Sequence, residues 1–156
     1  MEKTLRMENR TRRWREQRWL LDSVIKTIGP EWDQGRLLGK GSRGGALGLA
    51  SFRRAGARMK KFDDIGPEFG REGRRREDIA RQFEDQGRLV SAGENYFIAS
   101  LLYASAQWPY FDINDEDLEW ERRMIETYDR FIRYAPHPVE RVDIPFQDTA
   151  LSAFLH

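Results

Sequence analysis

The segment from Ala92 to about Gln107 constrains this chain most. At helical spacing Ala92, Tyr96, Ala99, Tyr103 and Ala106 share one face, and Phe97, Leu101, Ala104 and Trp108 the adjoining one. A helix here is apolar almost all round, so it must be surrounded by other elements, and we expect it at the centre of the fold. Ser91-Ala92-Gly93-Glu94 has the spacing of a capping box, which places the helix start at Ser91. Pro109 stops the helix.

The neighbours are read from the same periodicity. Trp14, Leu20, Leu21, Val24, Ile25 and Ile28 predict a helix over 9–28 that ends at Gly29-Pro30. The stretch 35–45 holds Gly35, Gly39, Gly41, Gly44 and Gly45 and reads as a glycine-rich loop. Helical character resumes over 46–62, breaks at Asp63-Asp64-Ile65-Gly66-Pro67, and returns over 72–89 with Ile79, Phe83 and Val90 about a turn apart. Asn114 or Asp115 caps a helix running to about Tyr134, with acidic residues in its first turn and Leu118, Ile125, Tyr128 and Ile132 as its inner stripe. After the stiff Ala135-Pro136-His137-Pro138 the period changes. Val139, Val142, Ile144 and Phe146 alternate with polar residues, Gln147-Asp148-Thr149 turns, and Ala150–Leu155 returns as a second strand. The expected class is mainly α: about five helices over 1–135, then a β-hairpin over 139–156.

A chain of 156 residues is of single-domain length and able to bury a real core. With no cysteine it has no disulfide, thiolate metal site or cysteine nucleophile, which favours the cytoplasm. No apolar run approaches the ~18 residues of a membrane span, and no secretory leader is expected in Met1-Glu2-Lys3-Thr4-Leu5-Arg6. A net charge of +1 conceals segregation: residues 1–61 hold 16 Lys and Arg against 6 Asp and Glu, and residues 62–156 hold 11 against 20. The two halves are complementary, so the basic half is expected to pack on the acidic half or on another subunit. A nucleic-acid-binding arm around Arg12, Arg13, Arg15, Arg18, Trp14 and Trp19 is the alternative. It is not favoured, because the tryptophans fit the apolar stripe and the arginines then form a rim.

No catalytic constellation can be assembled. Gly35-Arg36-Leu37-Leu38-Gly39-Lys40-Gly41-Ser42 departs from a phosphate-binding loop in glycine spacing and in having Gly41 after the lysine. Ser42 lacks the context of a nucleophile elbow, with Lys40 at the first glycine position. The two histidines, His137 and His156, stand in a proline-flanked linker and at the last position, neither with an orienting acid. Acidity at a helix start accounts for Asp112, Asp115, Glu116, Asp117, Glu119 and Glu121, and no metal or cofactor is expected. Gly87, Ala92, Tyr96 and Ala99 match the spacing of a tetratricopeptide-type helix, but a single copy does not make a solenoid.

Three stretches carry a family resemblance: Gly87-Arg88-Leu89-Val90-Ser91-Ala92-Gly93-Glu94, Ala99-Ser100-Leu101-Leu102-Tyr103-Ala104-Ser105-Ala106-Gln107-Trp108, and Val139-Glu140-Arg141-Val142-Asp143-Ile144-Pro145-Phe146. From about Arg74 to His156 the chain resembles the N-terminal region of 2,6-dihydroxypseudooxynicotine hydrolase-like α/β-hydrolases. That resemblance implies a helical cap whose hairpin opens the hydrolase sheet. It also implies a serine triad, acting on a carbon–carbon bond beside a ketone or on an ester, that lies wholly beyond His156. The chain would then be the inactive lid and dimerisation portion of a homodimeric enzyme with a small-molecule substrate. Tyr103, Trp108, Tyr110 and Phe111, which gather where the central helix ends, are the candidate pocket lining, with core packing as their competing role. The alternative functions are a stand-alone helical interaction module and an arginine-rich nucleic-acid binder.

Overall fold

Among the described residues, six α-helices and a hairpin follow one another along the chain in a computed structural model. It describes the backbone of residues 2–110 and 112–156, and their side chains except at 2–14, 30, 34, 36 and 37. The helices are α1 (Glu2–Ile28), α2 (Gln34–Gly39), α3 (Gly45–Gly56), α4 (Ile65–Asp85), α5 (Leu89–Ala106) and α6 (Asp115–Tyr134). Strands β1 (Glu140–Phe146) and β2 (Thr149–Leu155) pair antiparallel. A mainly helical chain with a C-terminal hairpin is thus what forms.

Helix α5 is central, as its composition requires. Ala92, Tyr96, Ala99, Tyr103 and Ala106 are all buried, and Ile98 and Leu102 bury a second side against Phe52, Ala55, Phe62, Ile65, Phe69 and Trp120. Its start corrects the capping-box reading: the helix begins at Leu89, two residues before Ser91, with Arg88 at the N-cap. A tight turn between α4 and α5 sets this start. Gly87 has φ 72°, its N–H bonds Glu84 O at 2.9 Å, and Arg88 N–H bonds Phe83 O at 2.8 Å. This is the Schellman arrangement, which closes one helix and launches the next within three residues. Alanine at Gly87 would meet no neighbour, so its cost is backbone strain alone. Gly87→Ala is expected to lower stability by about 1–2 kcal/mol, with Gly87→Asn recovering part of it, measured by urea unfolding.

The glycine-rich stretch 35–45 is helical, not a loop: it comprises most of α2, a 3-10 turn at Gly41–Gly44 and the first residue of α3. The glycines serve close approach. A Cβ on Gly41 would touch the Phe52 ring, and one on Gly48 would lie 2.5 Å from Gly41 O. Likewise Gly66-Pro67 falls in the first turn of α4, where proline lacks only an N–H that no intrahelical acceptor needs.

Helix α4 has an unusual inner face. Ile79 and Phe83 are half-buried, Phe83 packing against the cluster of Ala80, Ala92 and Tyr96, and Val90 is 70% exposed, so the expected stripe only flanks the face that packs. Gly66, Gly70, Gly73 and Ala80 face inward instead, and a Cβ on the three glycines would lie within 3 Å of Tyr110, Trp120 and Tyr103 respectively. Three aromatic rings fill the grooves that these glycines leave.

Helix α6 starts as read, with Asn114 Oδ1 accepting from the N–H groups of Glu116 and Asp117, both at 3.0 Å. Its inner face is Trp120 and Thr127, flanked by Met124, Phe131 and Tyr134; Leu118 and Ile125 are exposed, which corrects the expected stripe. Among the described side chains of α1 only Ile25 is fully buried, and Trp19 is 63% exposed, so that tryptophan is not part of a packed stripe. Trp14, Arg12 and Arg13 lie outside the described side chains. Arg18 pairs with Asp63, Arg54 and Arg58 reach Glu72, and Arg58 bonds Glu68, so the basic half does pack on the acidic half.

Candidate functional site

The hairpin and the helices meet around a chain of polar groups. Tyr128 Oη on α6 lies 2.7 Å from His156 Nε2, and His156 Nδ1 lies 3.0 Å from His137 Nε2. The two histidines, 19 positions apart in sequence, thus share a hydrogen bond that their local contexts gave no sign of. Antiparallel pairing explains it. The last pair of the ladder is Glu140↔Leu155, so the residue after β2 returns beside the linker that precedes β1.

This relay runs between two grooves. Tyr128 lines one of about 240 Å³ with Leu101, Ala104, Met124, Ile125 and Phe154, where Arg141 and Asp129 are the charged members. The Phe154 ring packs on Tyr128 at 5.0 Å, and the Arg141 guanidinium sits 5.8 Å above Phe154. His137 lines the second, of about 460 Å³, with Phe97, Ile98, Phe131, Arg43 and Glu94. Burial raises the Tyr128 hydroxyl above its ordinary pKa.

Of the anticipated lining residues, Tyr103 is enclosed in the core, and Trp108 and Tyr110 pack against it. Trp108 meets Phe62 edge-on at 5.2 Å. Neither groove includes them. Phe111 lies outside the described residues.

The ionisable groups between α4, α5 and α6 form a second, unforeseen pattern, with Glu77, Tyr103 and Tyr96 buried and Glu84, Arg123 and Arg130 partly exposed. Tyr103 Oη donates to Glu77 Oε2 at 2.7 Å, and Arg123 Nη1 reaches the same oxygen at 3.2 Å. One heptad away, Tyr96 Oη donates to Glu84 Oε2 at 2.5 Å and Arg130 Nη1 reaches it at 2.8 Å. Each layer takes a glutamate from α4, a tyrosine from α5 and an arginine from α6, the guanidinium lying 5.9 Å and 5.4 Å from the respective ring centroids. The signal was present in the seven-residue spacings 77/84, 96/103 and 123/130. Burial, then the hydrogen bond to Glu84, pushes Tyr96 up to about 12. Burial, then Glu77, raises Tyr103 as well. Burial opposes ionisation of Glu84, but the bonds from Tyr134, Tyr96 and Arg130 outweigh it and hold the carboxyl below its usual range. These carboxylates are saturated with donors, which suits them to fixing helix register rather than to acid–base work.

Among the described residues no cluster of three or more His, Cys, Asp or Glu could hold a metal ion, and no helix is long and apolar enough to cross a membrane. No family model matches the chain, and no curated protein is significantly similar to it.

Proposed function

We propose that the chain is the helical cap portion of an α/β-hydrolase, its hairpin serving as the first two strands of the catalytic sheet. One observation carries the reading. Val142, Ile144 and Phe146 on β1 and Leu151, Ala153 and Leu155 on β2 share one face of the hairpin, while Phe154, on the other face, is the residue packed on Tyr128. Ile144, Phe146, Leu151 and Leu155 are each more than half exposed. Each strand also has one unpaired edge among the described residues. A two-stranded ribbon is marginal in water, and an apolar face beside open edges is suited to further strands and a covering layer.

On this reading the groove between α5, α6 and β2 contributes an apolar wall to a small-molecule substrate cavity, where excluding water strengthens electrostatic stabilisation of the reacting carbonyl. The serine triad would belong to polypeptide after His156. The substrate bond would be a carbon–carbon bond beside a ketone or an ester, in a homodimeric cytoplasmic enzyme. The nucleic-acid alternative is disfavoured by the engagement of Arg18, Arg54 and Arg58 with carboxylates.

The intact mass of the protein from its native source tests the proposal. A mass well above 18.4 kDa, with peptides running on from Ala153-Phe154-Leu155-His156, is the expected result. A mass of 18.4 kDa would overturn it in favour of a stand-alone interaction module.

A further inference from the structure

The histidine pair has a use that does not depend on the cap reading. We propose that His137 Nε2 and His156 Nδ1 chelate a divalent late transition-metal ion (Cu²⁺, Ni²⁺ or Zn²⁺), with water completing its coordination. The two nitrogens face each other at 3.0 Å. An ion at the usual imidazole bond length of about 2.0–2.1 Å from both would subtend roughly a right angle, and a small swing of either exposed ring opens that towards tetrahedral.

Three features support chelation over a simple contact. His156, bound through Nδ1, carries its proton on Nε2, and Tyr128 Oη stands 2.7 Å from that nitrogen as the acceptor. Metal-ligating histidines characteristically donate their remote N–H in this way, which fixes the tautomer and the ring plane. His137 lies between Pro136 and Pro138, whose locked φ angles reduce the backbone freedom to be lost on binding. Both donors are imidazoles and the chain has no cysteine, which selects Cu²⁺, Ni²⁺ and Zn²⁺ over the oxygen-seeking Mg²⁺ and Ca²⁺. A bound ion would join the linker before β1 to the residue after β2, closing the open end of the hairpin beside α6.

The test uses the full chain without a histidine tag, titrated with each ion by calorimetry and followed through the histidine ring NMR signals. Affinity is expected to fall from Cu²⁺ to Ni²⁺, with Mg²⁺ not binding, and both rings should respond together. His137→Ala and His156→Ala should each weaken binding on the order of 100-fold, the scale set by losing one arm of a chelate. Tyr128→Phe should weaken it by roughly tenfold with both rings still responding, which separates a positioning role from ligation. All three positions are at least partly exposed, so circular dichroism should report unchanged helicity. Binding unaltered in either histidine variant, a response from one ring alone, or no binding of any of the three ions would overturn the proposal.

Discussion

Replacing Trp120 with alanine is expected to lower the unfolding free energy by about 3–5 kcal/mol, the range for deleting a large buried aromatic side chain. Trp120 is 4% exposed, stacks on Tyr103 with ring centroids 5.9 Å apart, and lies beneath the Arg74 guanidinium. Its far edge occupies the notch at Gly70, where an added Cβ would fall 2.4 Å from the ring. Gly70→Ala therefore sets two effects against each other. Alanine gains up to about 1 kcal/mol of helix propensity, whereas overpacking a tight site costs about 1–3 kcal/mol, so the net change is destabilising. In the double variant the notch is empty, the added methyl has room, and the Gly70→Ala penalty should vanish or reverse. Urea titrations followed by circular dichroism measure all three. A loss below about 1 kcal/mol for Trp120→Ala, or a gain for Gly70→Ala alone, would contradict this packing.

The second large effect belongs to Glu77. Its removal leaves the buried Tyr103 hydroxyl without its acceptor and takes the carboxylate from Arg123 and Arg81. Breaking a fully buried ion pair costs about 3–5 kcal/mol, but Arg81 is half exposed and Arg123 a quarter exposed, so both can turn partly to water. About 2–3 kcal/mol is the expected loss for Glu77→Ala, and about 1 kcal/mol for Tyr103→Phe, which removes a donor without creating a cavity. Glu119 offers the contrast. Hydrogen bonds from Arg122 and Arg123 hold its carboxyl down to about 2, yet its side chain is more than a third exposed. Glu119→Gln should change stability by less than about 1 kcal/mol, and less still at high salt. Equal effects of Glu77→Ala and Glu119→Gln would show that the inner layer is not a desolvated network.

The parts of the fold legible in the sequence are those governed by near neighbours along the chain. The all-round apolarity of 92–107 marks a central helix. Asn114 with three acidic residues after it marks a helix start, and the alternation after Pro138 marks strands. The candidate site was much less legible. Tyr128, His156 and His137 are brought together by the return of β2, and no local spacing encodes a contact over 19 or 28 residues. Trp108 and Tyr110, adjacent to the end of the central helix, read as core or as pocket lining, and it is the neighbouring helices that pack them against the core.

Composition and periodicity alone thus determined a mainly helical chain with a terminal hairpin and α5 at its centre, because burial pattern, capping and strand alternation act over a few residues. Which face of α6 turns inward was decided only by tertiary structure. Leu118 and Ile125 are as apolar as any inner stripe, yet Trp120 finds the notch at Gly70 while Arg123 and Arg130 find Glu77 and Glu84. A helix presents its faces by sequence, but the partner's shape and unsatisfied charge select among them.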